Sequence, residues 1–326
     1  MKAKDIVKYV VSFGLAVLFV WLAFRSVDWK SFWEGLLQTQ WLWLIPFLAA
    51  SVGALVFRAC RWRLLLRSSG LPSVWIDAWD ANNVGNLANL VIPGSGEVIR
   101  CGYVSGKSKF GNVFGTVLME RAWDFLAIFL MLGLALVFDT GKFGPFFATQ
   151  VWEPMVSRLQ FSLWWLLAAL VALVALFFWA VYRFRERNRV CGKIAGALSS
   201  VWQGFASFGH LQHKAAFLLF TVGIWLMYLL MSYSVMKALP DLSALGMKDA
   251  LFFTVVGNCA SVIPVPGGIG AYHYLIALAV SGIYGRTWET GILFATLQHE
   301  LHAVLVLILG VISYLRFTIH ARHSKR

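Results

Sequence analysis

The chain has 326 residues, of which 60% are apolar, 16% aromatic and only 13% charged, and its mean hydropathy is +0.72. Soluble domains carry about a quarter of their residues as Asp, Glu, Lys and Arg, so this composition excludes disorder, collagen and nearly every water-soluble class. The formal charge of +13 does not indicate nucleic acid, because the Lys and Arg residues cluster in short links between apolar runs. We expect one all-α, polytopic membrane domain over residues 1–326.

Six runs of about 20 mainly apolar residues predict full transmembrane helices. They cover residues 6–24, 41–57, 113–138, 163–182, 215–236 and 291–314. With both termini in the cytoplasm, most Lys and Arg residues fall in inner links, including Arg58, Arg61, Arg63 and Arg67 after the second run. This bias predicts insertion in the cytoplasmic membrane with both termini inside. No small-residue cleavage site follows the first run, so we expect it to remain as a helix.

Two links between these runs are also predicted to be helical. Residues 183–214 begin with basic residues and continue with apolar residues on one helical face. This pattern fits either an amphipathic surface helix or an ordinary helical loop. The first outer link, which contains Trp29 and Trp33, predicts a similar interfacial helix.

The segment 74–109 is too polar and too broken to cross lipid, yet too apolar for an open loop. Three of its four asparagines, at positions 82, 86 and 89, share one helix face, which protein or water has to cover. Pro93, Gly94 and Gly96 then break the helix and permit a reversal of the chain. Because basic residues flank both ends, we expect a re-entrant hairpin that enters from the cytoplasm and returns there.

The segment 248–286 has the same character and is expected to enter from the outer side. Its VGNCA at 256–260 repeats VGNLA at 84–88, and its VPGGIG at 265–270 echoes IPGSG at 92–96. Repeats inserted from opposite faces are typical of transporters, in which the substrate site lies between the repeats. Chance similarity of turns rich in Gly and Pro is the alternative explanation.

Five ionisable residues fall at or inside membrane depth: Glu97, Arg100, Glu120, Arg121 and Asp124. Each costs roughly 2.5 to 3.5 kcal/mol there, so each needs a partner. A pairing of Arg100 with Glu120 or Asp124 would attach the first hairpin to the next helix. Two interpretations remain open: Arg100 and Arg121 bind a lipid phosphate, or the charges form a closed salt-bridge cluster that only holds the fold together. Backbone N–H groups at residues 94–96 and 267–270 are further candidate donors for an anion.

Three histidines, His273, His299 and His302, accompany the second hairpin. The string HELH lacks the HExxH spacing of zinc proteases, and no Cys or carboxylate set completes a metal site. We therefore predict no metal and no other cofactor. We expect these histidines to form hydrogen bonds within an outer cavity, with Glu300 as a partner of one of them.

Taken together, these residues resemble the transmembrane domain of the lysylphosphatidylglycerol synthase family, whose members are flippase-like membrane proteins. The resemblance covers about residues 57–314. It rests on four motifs: the run 58–66 with Arg61-Trp62, the segment 89–100 with PG and GEVIR, ERxxD at 120–124, and PxPGGIG at 264–270. The chain departs from the family where His273 replaces a Glu and where Gln298 or His299 replaces an Arg. It has no soluble aminoacyl-transferase domain, so aminoacylation of lipid is not implied.

The resemblance implies a lipid transporter or flippase, and the opposed hairpins supply a physical route for an anionic head group. The lipid itself stays open between a phospholipid, an aminoacyl-phospholipid and a polyprenyl phosphate. The residues predicted to line the transport cavity are Asn86, Asn89, Pro93, Gly94, Gly96, Glu97, Arg100, Glu120, Arg121, Asp124, Asn258, Pro266, Gly267, Gly268, Gly270, His273, His299 and His302.

Two other classes of function remain as alternatives. One is a membrane enzyme acting on lipid-linked phosphates or sugars, with Glu97 or Asp124 as general base. The chain shows no Asp-rich pyrophosphate motif, nucleophile signature or nucleotide loop, so no catalytic residue is assigned. The other alternative is a non-catalytic membrane subunit. The expected partners are membrane lipids, with a second copy of the chain or a lipid-modifying enzyme as further candidates.

Overall fold

The computed structural model describes residues 3–71, 74–105, 110–138, 140–149, 172–173, 176, 179–186, 188–260, 263 and 265–323. All regular structure within these residues is helical, and they contain no strand. In the first half, the helices are α1 Ala3–Phe24, α2 Trp29–Leu37, α3 Leu44–Ser68, α4 Trp75–Val91, α5 Ser95–Val104, α6 Phe110–Phe138 and α7 Thr140–Phe147. In the second half, they are α8 Arg189–Ala206, α9 Lys214–Ala238, α10 Met247–Cys259, α11 Ala271–Tyr284 and α12 Trp288–His323.

Four stretches of the described chain are long and apolar enough to span a membrane. They are Trp41–Ser68, Phe110–Phe138, Lys214–Ala238 and Trp288–Arg316, and the shortest has 25 residues. At about 1.5 Å per residue this length exceeds the hydrocarbon thickness of about 30 Å. On α6, Phe129 and Val137 expose their side chains, as residues facing lipid do. The protein is therefore a multi-pass, all-helical membrane protein.

The structure confirms some of the six expected spans and differs from others. The runs 113–138, 215–236 and 291–314 are confirmed as parts of α6, α9 and α12. The run 41–57 was predicted too short, because α3 continues to Ser68 through the arginines that were assigned to a link. The run 6–24 forms α1, but its apolar part with described side chains, Phe13–Phe24, is shorter than a span. Most of the run 163–182 lies outside the described residues.

Helical hairpins occur at both predicted positions. In the first, α4 ends before Pro93, and Gly94 takes a φ of 73° that only glycine adopts without strain. In the second, α10 and α11 are separated by a tip in which Gly267, Gly268 and Gly270 have φ values of 59°, 77° and 81°. The arms of each hairpin pack against each other. Residues 106–109, 261, 262 and 264 lie outside the described residues.

The contacts between helices repeat in the two halves of the chain. The central pair is α3 packed along α9. Around it, α4 packs on α12 just as α10 packs on α6, and α5 packs on α6 just as α11 packs on α12. Exchanging the two hairpins and their flanking helices therefore leaves this set of contacts unchanged. The hairpins also meet, since a Cβ atom added to Gly267 would lie 3.6 Å from the carbonyl oxygen of Leu90 at the end of α4.

Both links predicted to be helical contain helices. α2 exposes the side chains of Trp29 and Trp33, and Asp28 caps its first turn by accepting the backbone N–H of Lys30. α8 packs against α6, where Gly111 lies directly under Ser200. The contact with α6 makes α8 part of the packed domain.

The two arms of the first hairpin touch through glycines, and this contact can be tested. A Cβ atom on Gly96 would overlap the carbonyl oxygen of Gly85 and lie 2.6 Å from Asn89 Nδ2. We expect Gly96→Ala to lower the free energy of unfolding by about 1–3 kcal/mol, because the packed arms have to separate. The measurement is thermal unfolding in detergent, followed by tryptophan fluorescence.

The matched control is Gly102→Ala on the same helix, α5, where an added Cβ atom meets nothing within 4 Å. There the substitution removes only glycine's backbone freedom, so stability should be unchanged or slightly higher. Equal stability of the two variants would contradict the close contact of the arms.

Candidate functional site

A chain of buried charges joins α3, α5 and α6. Arg61 Nη2 donates hydrogen bonds to Glu120 Oε1 at 3.1 Å and to Asp124 Oδ1 at 2.7 Å. On the other side of the carboxylate, Arg100 Nη2 lies 2.7 Å from Glu120 Oε2. The side chains of Arg61 and Glu120 are 0% exposed and that of Arg100 is 4% exposed. Glu120 thus sits between two arginines in the protein interior, and the predicted pairing of Arg100 with Glu120 is confirmed.

The surroundings of Arg100 fix its position from three sides. Its Nη1 donates to Asn82 Oδ1 at 2.7 Å, which ties α5 to α4. Its guanidinium carbon lies 4.8 Å from the centre of the Trp62 ring, a cation–π distance. Trp62 is itself held by a hydrogen bond from its indole Nε1 to Thr116 Oγ1 on α6, at 3.1 Å. These contacts attach the first hairpin to both α3 and α6.

A second layer of charges lies next to the first and is accessible. Arg121 Nη2 donates to Glu97 Oε1 at 2.6 Å, and its Nη1 lies 3.6 Å from Asp124 Oδ2. Asn89 connects this layer to the hairpin turn, since its Nδ2 is 3.4 Å from Glu97 Oε2 and its Oδ1 accepts the N–H of Gly96 at 2.8 Å. The side chains of Arg121, Glu97 and Asp124 are 36%, 20% and 19% exposed. The cluster therefore has a closed inner layer and an open outer layer.

The cluster carries one more positive than negative charge. Its cations are Arg58, Arg61, Arg100 and Arg121, and its anions are Glu97, Glu120 and Asp124. Arg58 lies in the field of Glu120 and Asp124, but its Nη1 donates to the hydroxyl of Tyr228 at 3.1 Å. Within the described residues, Nε and Nη1 of Arg61 have no hydrogen-bond partner. The net positive charge of the cluster favours an anion as its ligand.

The remaining polar face of α4 is covered by α12. Arg316 Nη2 donates to Asp80 Oδ1 at 2.8 Å, and Asn83 Nδ2 lies 3.4 Å from Ser313 Oγ. Asp80 and Asn83 are buried, while Asn86 is half-buried. The expectation that protein covers the polar face of α4 is therefore met by α5 on one side and by α12 on the other.

The histidines gather at the tip of the second hairpin. His299 Nε2 lies 2.6 Å from the carbonyl oxygen of Gly267, and its Nδ1 lies 3.0 Å from Glu300 Oε1. His273 is buried, with its ring centre 5.6 Å from that of His299 and its Nε2 3.8 Å from Glu300 Oε1. His302 lies one turn further along α12. The predicted pairing of Glu300 with a histidine is confirmed.

Other predicted site residues form hydrogen bonds or close contacts with backbone atoms. Asn258 Nδ2 donates to the Thr254 carbonyl oxygen of its own helix at 2.8 Å. An added Cβ atom on Gly270 would lie 2.5 Å from the backbone nitrogen of Val20, so α1 covers this side of the tip. At both turns, four of the expected backbone donors are already used: Ser95 donates to Ile92, Gly96 to Asn89, Gly268 to Val265 and Ile269 to Pro266.

These side chains form two groups, here named the arginine cluster and the histidine cluster. The arginine cluster contains Arg58, Arg61, Asn82, Asn89, Glu97, Arg100, Glu120, Arg121 and Asp124. The histidine cluster contains Gly267, His273, His299 and Glu300. Within the described part of the chain, no hydrogen bond or ion pair joins the two groups, although the hairpin tips touch.

Sequence reasoning placed Arg58 and Arg61 in a cytoplasmic link, and the structure corrects this. Both belong to α3, and Arg61 is fully buried. The signal that was available is the continuous helical pattern from residue 44 to 68, in which the arginines are interrupted by apolar residues. Asn82 was recognised only as part of a polar face, and Trp62 only as part of a motif.

A cavity of about 210 Å³ lies away from both clusters, between α2, the end of α9 and the start of α12. Its lining includes the carboxylates of Glu34, Asp241 and Glu289. Three carboxylates repel an anionic head group, so this cavity does not match the surplus positive charge of the arginine cluster.

These features define a multi-pass membrane protein with two helical hairpins and an arginine-rich cluster that includes residues of two candidate spans. The family model described as lysylphosphatidylglycerol synthase TM region matches residues 6–310. The chain belongs to this family, as the sequence resemblance indicated. No curated protein and no solved structure matches the chain.

The closed inner layer makes a prediction about stability. Glu120→Gln removes the charge between Arg61 and Arg100, so the buried Arg100 loses its ion-pair partner and Arg61 keeps only Asp124. Removing one partner of a buried ion pair costs about 3–5 kcal/mol, so we expect a loss of this size in the free energy of unfolding. The measurement is the same thermal unfolding in detergent.

The control is Arg121→Gln, which breaks an ion pair in the accessible layer. Ion pairs that are partly exposed contribute less than fully buried ones, so the variant should lose less stability than Glu120→Gln. A larger loss from Arg121→Gln than from Glu120→Gln would show that the division into two layers is wrong.

Proposed function

We propose that the protein moves an anionic lipid across the cytoplasmic membrane. The observation that carries the proposal is Arg121, a half-exposed arginine at membrane depth backed by a cluster with one surplus positive charge. Its head-group contact would be made in the accessible layer while the acyl chains remain in the bilayer. Membership of the family supports this class of function.

The two layers have different roles in this proposal. The inner layer of Arg61, Glu120 and Arg100 holds α3, α5 and α6 together, because each charge there is buried and paired. In the outer layer Arg121 binds Glu97 closely but Asp124 only at 3.6 Å. Its Nη1 is therefore the donor most easily transferred to a phosphate oxygen, and a guanidinium presents two such donors side by side.

The route across the membrane is proposed to run between the two hairpins. We take them to be re-entrant from opposite sides, forming an inverted repeat with both chain termini in the cytoplasm. The repeated helix contacts and the touching tips support this arrangement. In transporters with inverted repeats, broken helices meet near the midplane. Movement of one repeat against the other then opens the site between them to each side of the membrane in turn.

We also propose that the protein acts without catalysis. Each carboxylate of the arginine cluster is held by at least one arginine. A carboxylate paired with a guanidinium is a weak base, so none of the three is suited to remove a proton from a lipid hydroxyl or water. Turnover of a lipid-linked phosphate by the purified protein would favour the enzyme alternative instead.

The test uses liposomes that carry fluorescent phosphatidylglycerol and the purified protein. We expect the unmodified protein to accelerate exchange of the lipid between leaflets. Arg121→Gln should slow this exchange about tenfold or more, since a hydrogen bond to a charged group contributes about 1.5–3 kcal/mol. Arg121→Lys should fall between the two, because it keeps the charge but loses the planar pair of donors.

The matched control is Arg316→Gln. Arg316 is also 36% exposed and also binds a carboxylate, that of Asp80, but it lies outside the arginine cluster. The control should retain exchange once equal amounts of folded protein are compared. Two results would refute the proposal. One is equal exchange by Arg121→Gln and the unmodified protein, and the other is no accelerated exchange by the unmodified protein.

A further inference from the structure

The histidine cluster contains a hydrogen-bond pattern that requires an extra proton. The two ring nitrogens of His299 face two acceptors: the Gly267 carbonyl oxygen at 2.6 Å and the Glu300 carboxylate at 3.0 Å. A carbonyl oxygen and an ionised carboxylate only accept hydrogen bonds, while a neutral imidazole has one N–H to donate. Both contacts form together only if the ring is an imidazolium or the carboxyl group is protonated. Either way, the pair holds one more proton than a neutral histidine beside an ionised glutamate.

The position of the pair in the membrane favours keeping this proton. Glu300 is the thirteenth residue of α12, so it lies about 18 Å along a helix with a rise of about 1.5 Å per residue. The candidate span runs on to Arg316. With the extra proton the pair is neutral overall, and without it a net negative charge remains at membrane depth, where ionised groups are costly. His299 is 15% exposed and Glu300 46% exposed, so a proton can enter and leave.

The proton also affects the contact between His299 and the tip of the second hairpin. The acceptor at Nε2 is Gly267, the first of the three glycines with positive φ that form the tip of the second hairpin. Gly268 lies against the same ring, since its added Cβ atom would be 3.5 Å from His299 Nε2. Loss of the proton leaves one N–H for two acceptors. Because a hydrogen bond to an ionised carboxylate is stronger than one to a neutral carbonyl oxygen, the remaining N–H stays with Glu300 and the bond to the tip breaks.

We propose that His299 and Glu300 bind one exchangeable proton between them, and that this proton keeps the tip of the second hairpin attached to α12. This proton site lies in the histidine cluster and does not depend on the arginine cluster. If lipid transport occurs as proposed above, release of the tip provides a step that a proton controls; this consequence alone depends on the proposed function.

The polar and ionisable groups near the pair come from several helices. On α11 they are His273 and Tyr272, and on α12 they are Gln298 and His302. From α9, Ser232 accepts a hydrogen bond from Gln298, and Arg58 of α3 acts on His302. Helix α4 approaches the tip with Leu90, while its carboxylate Asp80 binds Arg316 further along α12. The described side chains of α1, residues 13–24, include no ionisable group.

The test records the mobility of a spin label on the second hairpin as a function of pH. Cys259 is exposed at the end of α10, just before the tip. A variant that keeps Cys259 and replaces the three other cysteines, Cys60, Cys101 and Cys191, by Ala is labelled and placed in liposomes. We expect the label to become more mobile as the pH rises, because base removes the proton that His299 and Glu300 share.

Two variants distinguish the proposed site from its neighbours. In His299→Gln the side-chain amide still donates to Gly267 but binds no proton, so the transition should be lost while the protein stays folded. In His302→Gln, the same change one turn away, the transition should remain. A transition that persists in His299→Gln, that disappears only in His302→Gln, or that is absent from the unmodified background would overturn the proposal.

The outcome is separate from that of the lipid-exchange experiment, because the label reports the hairpin whether or not lipid moves. A protein that exchanges lipid but shows no transition would refute the proton site and leave the proposed function intact. A pH transition without lipid exchange would do the reverse.

Discussion

The fold depends on one buried carboxylate, Glu120, which lies between Arg61 and Arg100 with no exposure to solvent. Three helices supply these charges, so each ion pair is also a contact between segments distant in sequence. In a membrane, where apolar surface gains little from leaving lipid, packing and polar contacts between helices have to provide specificity. The paired charges therefore decide where the first hairpin sits. They leave Arg121 and its two carboxylates at the open edge of the same cluster.

The two hairpins are built in the same way but are held differently. The first is held by ion pairs and by the close contact of Gly85 with Gly96. The second is held by a histidine bound to the carbonyl oxygen of its tip and by the cover that α1 places over Gly270. An ion pair of arginine persists at every physiological pH, whereas a bond made by histidine depends on protonation. The ion pairs that hold the first hairpin are therefore insensitive to pH, whereas the contact of His299 with the tip of the second hairpin depends on protonation.

The sequence predicted the elements whose causes are local. Apolar runs of span length identified α6, α9 and most of α12, and the turns rich in Gly and Pro located both hairpins. It also predicted that Arg100 pairs with Glu120 or Asp124, because opposite charges at membrane depth need partners, and the structure shows Glu120. It ended α3 too early at residue 57, since arginines inside a helix look the same in sequence as arginines in a link.

The sequence by itself therefore determined the class of protein, the family and the positions of the breaks in the helices. Only the tertiary structure decided which charges are closed off and which are open, and that Arg61 belongs with Arg100 and Glu120. The physical reason is that composition and helix-breaking residues act over a few neighbours, while the partner of a buried charge lies on another helix. Asn82 meets Arg100 and His299 meets Gly267 across such distances. Neither pairing is visible until the helices are packed.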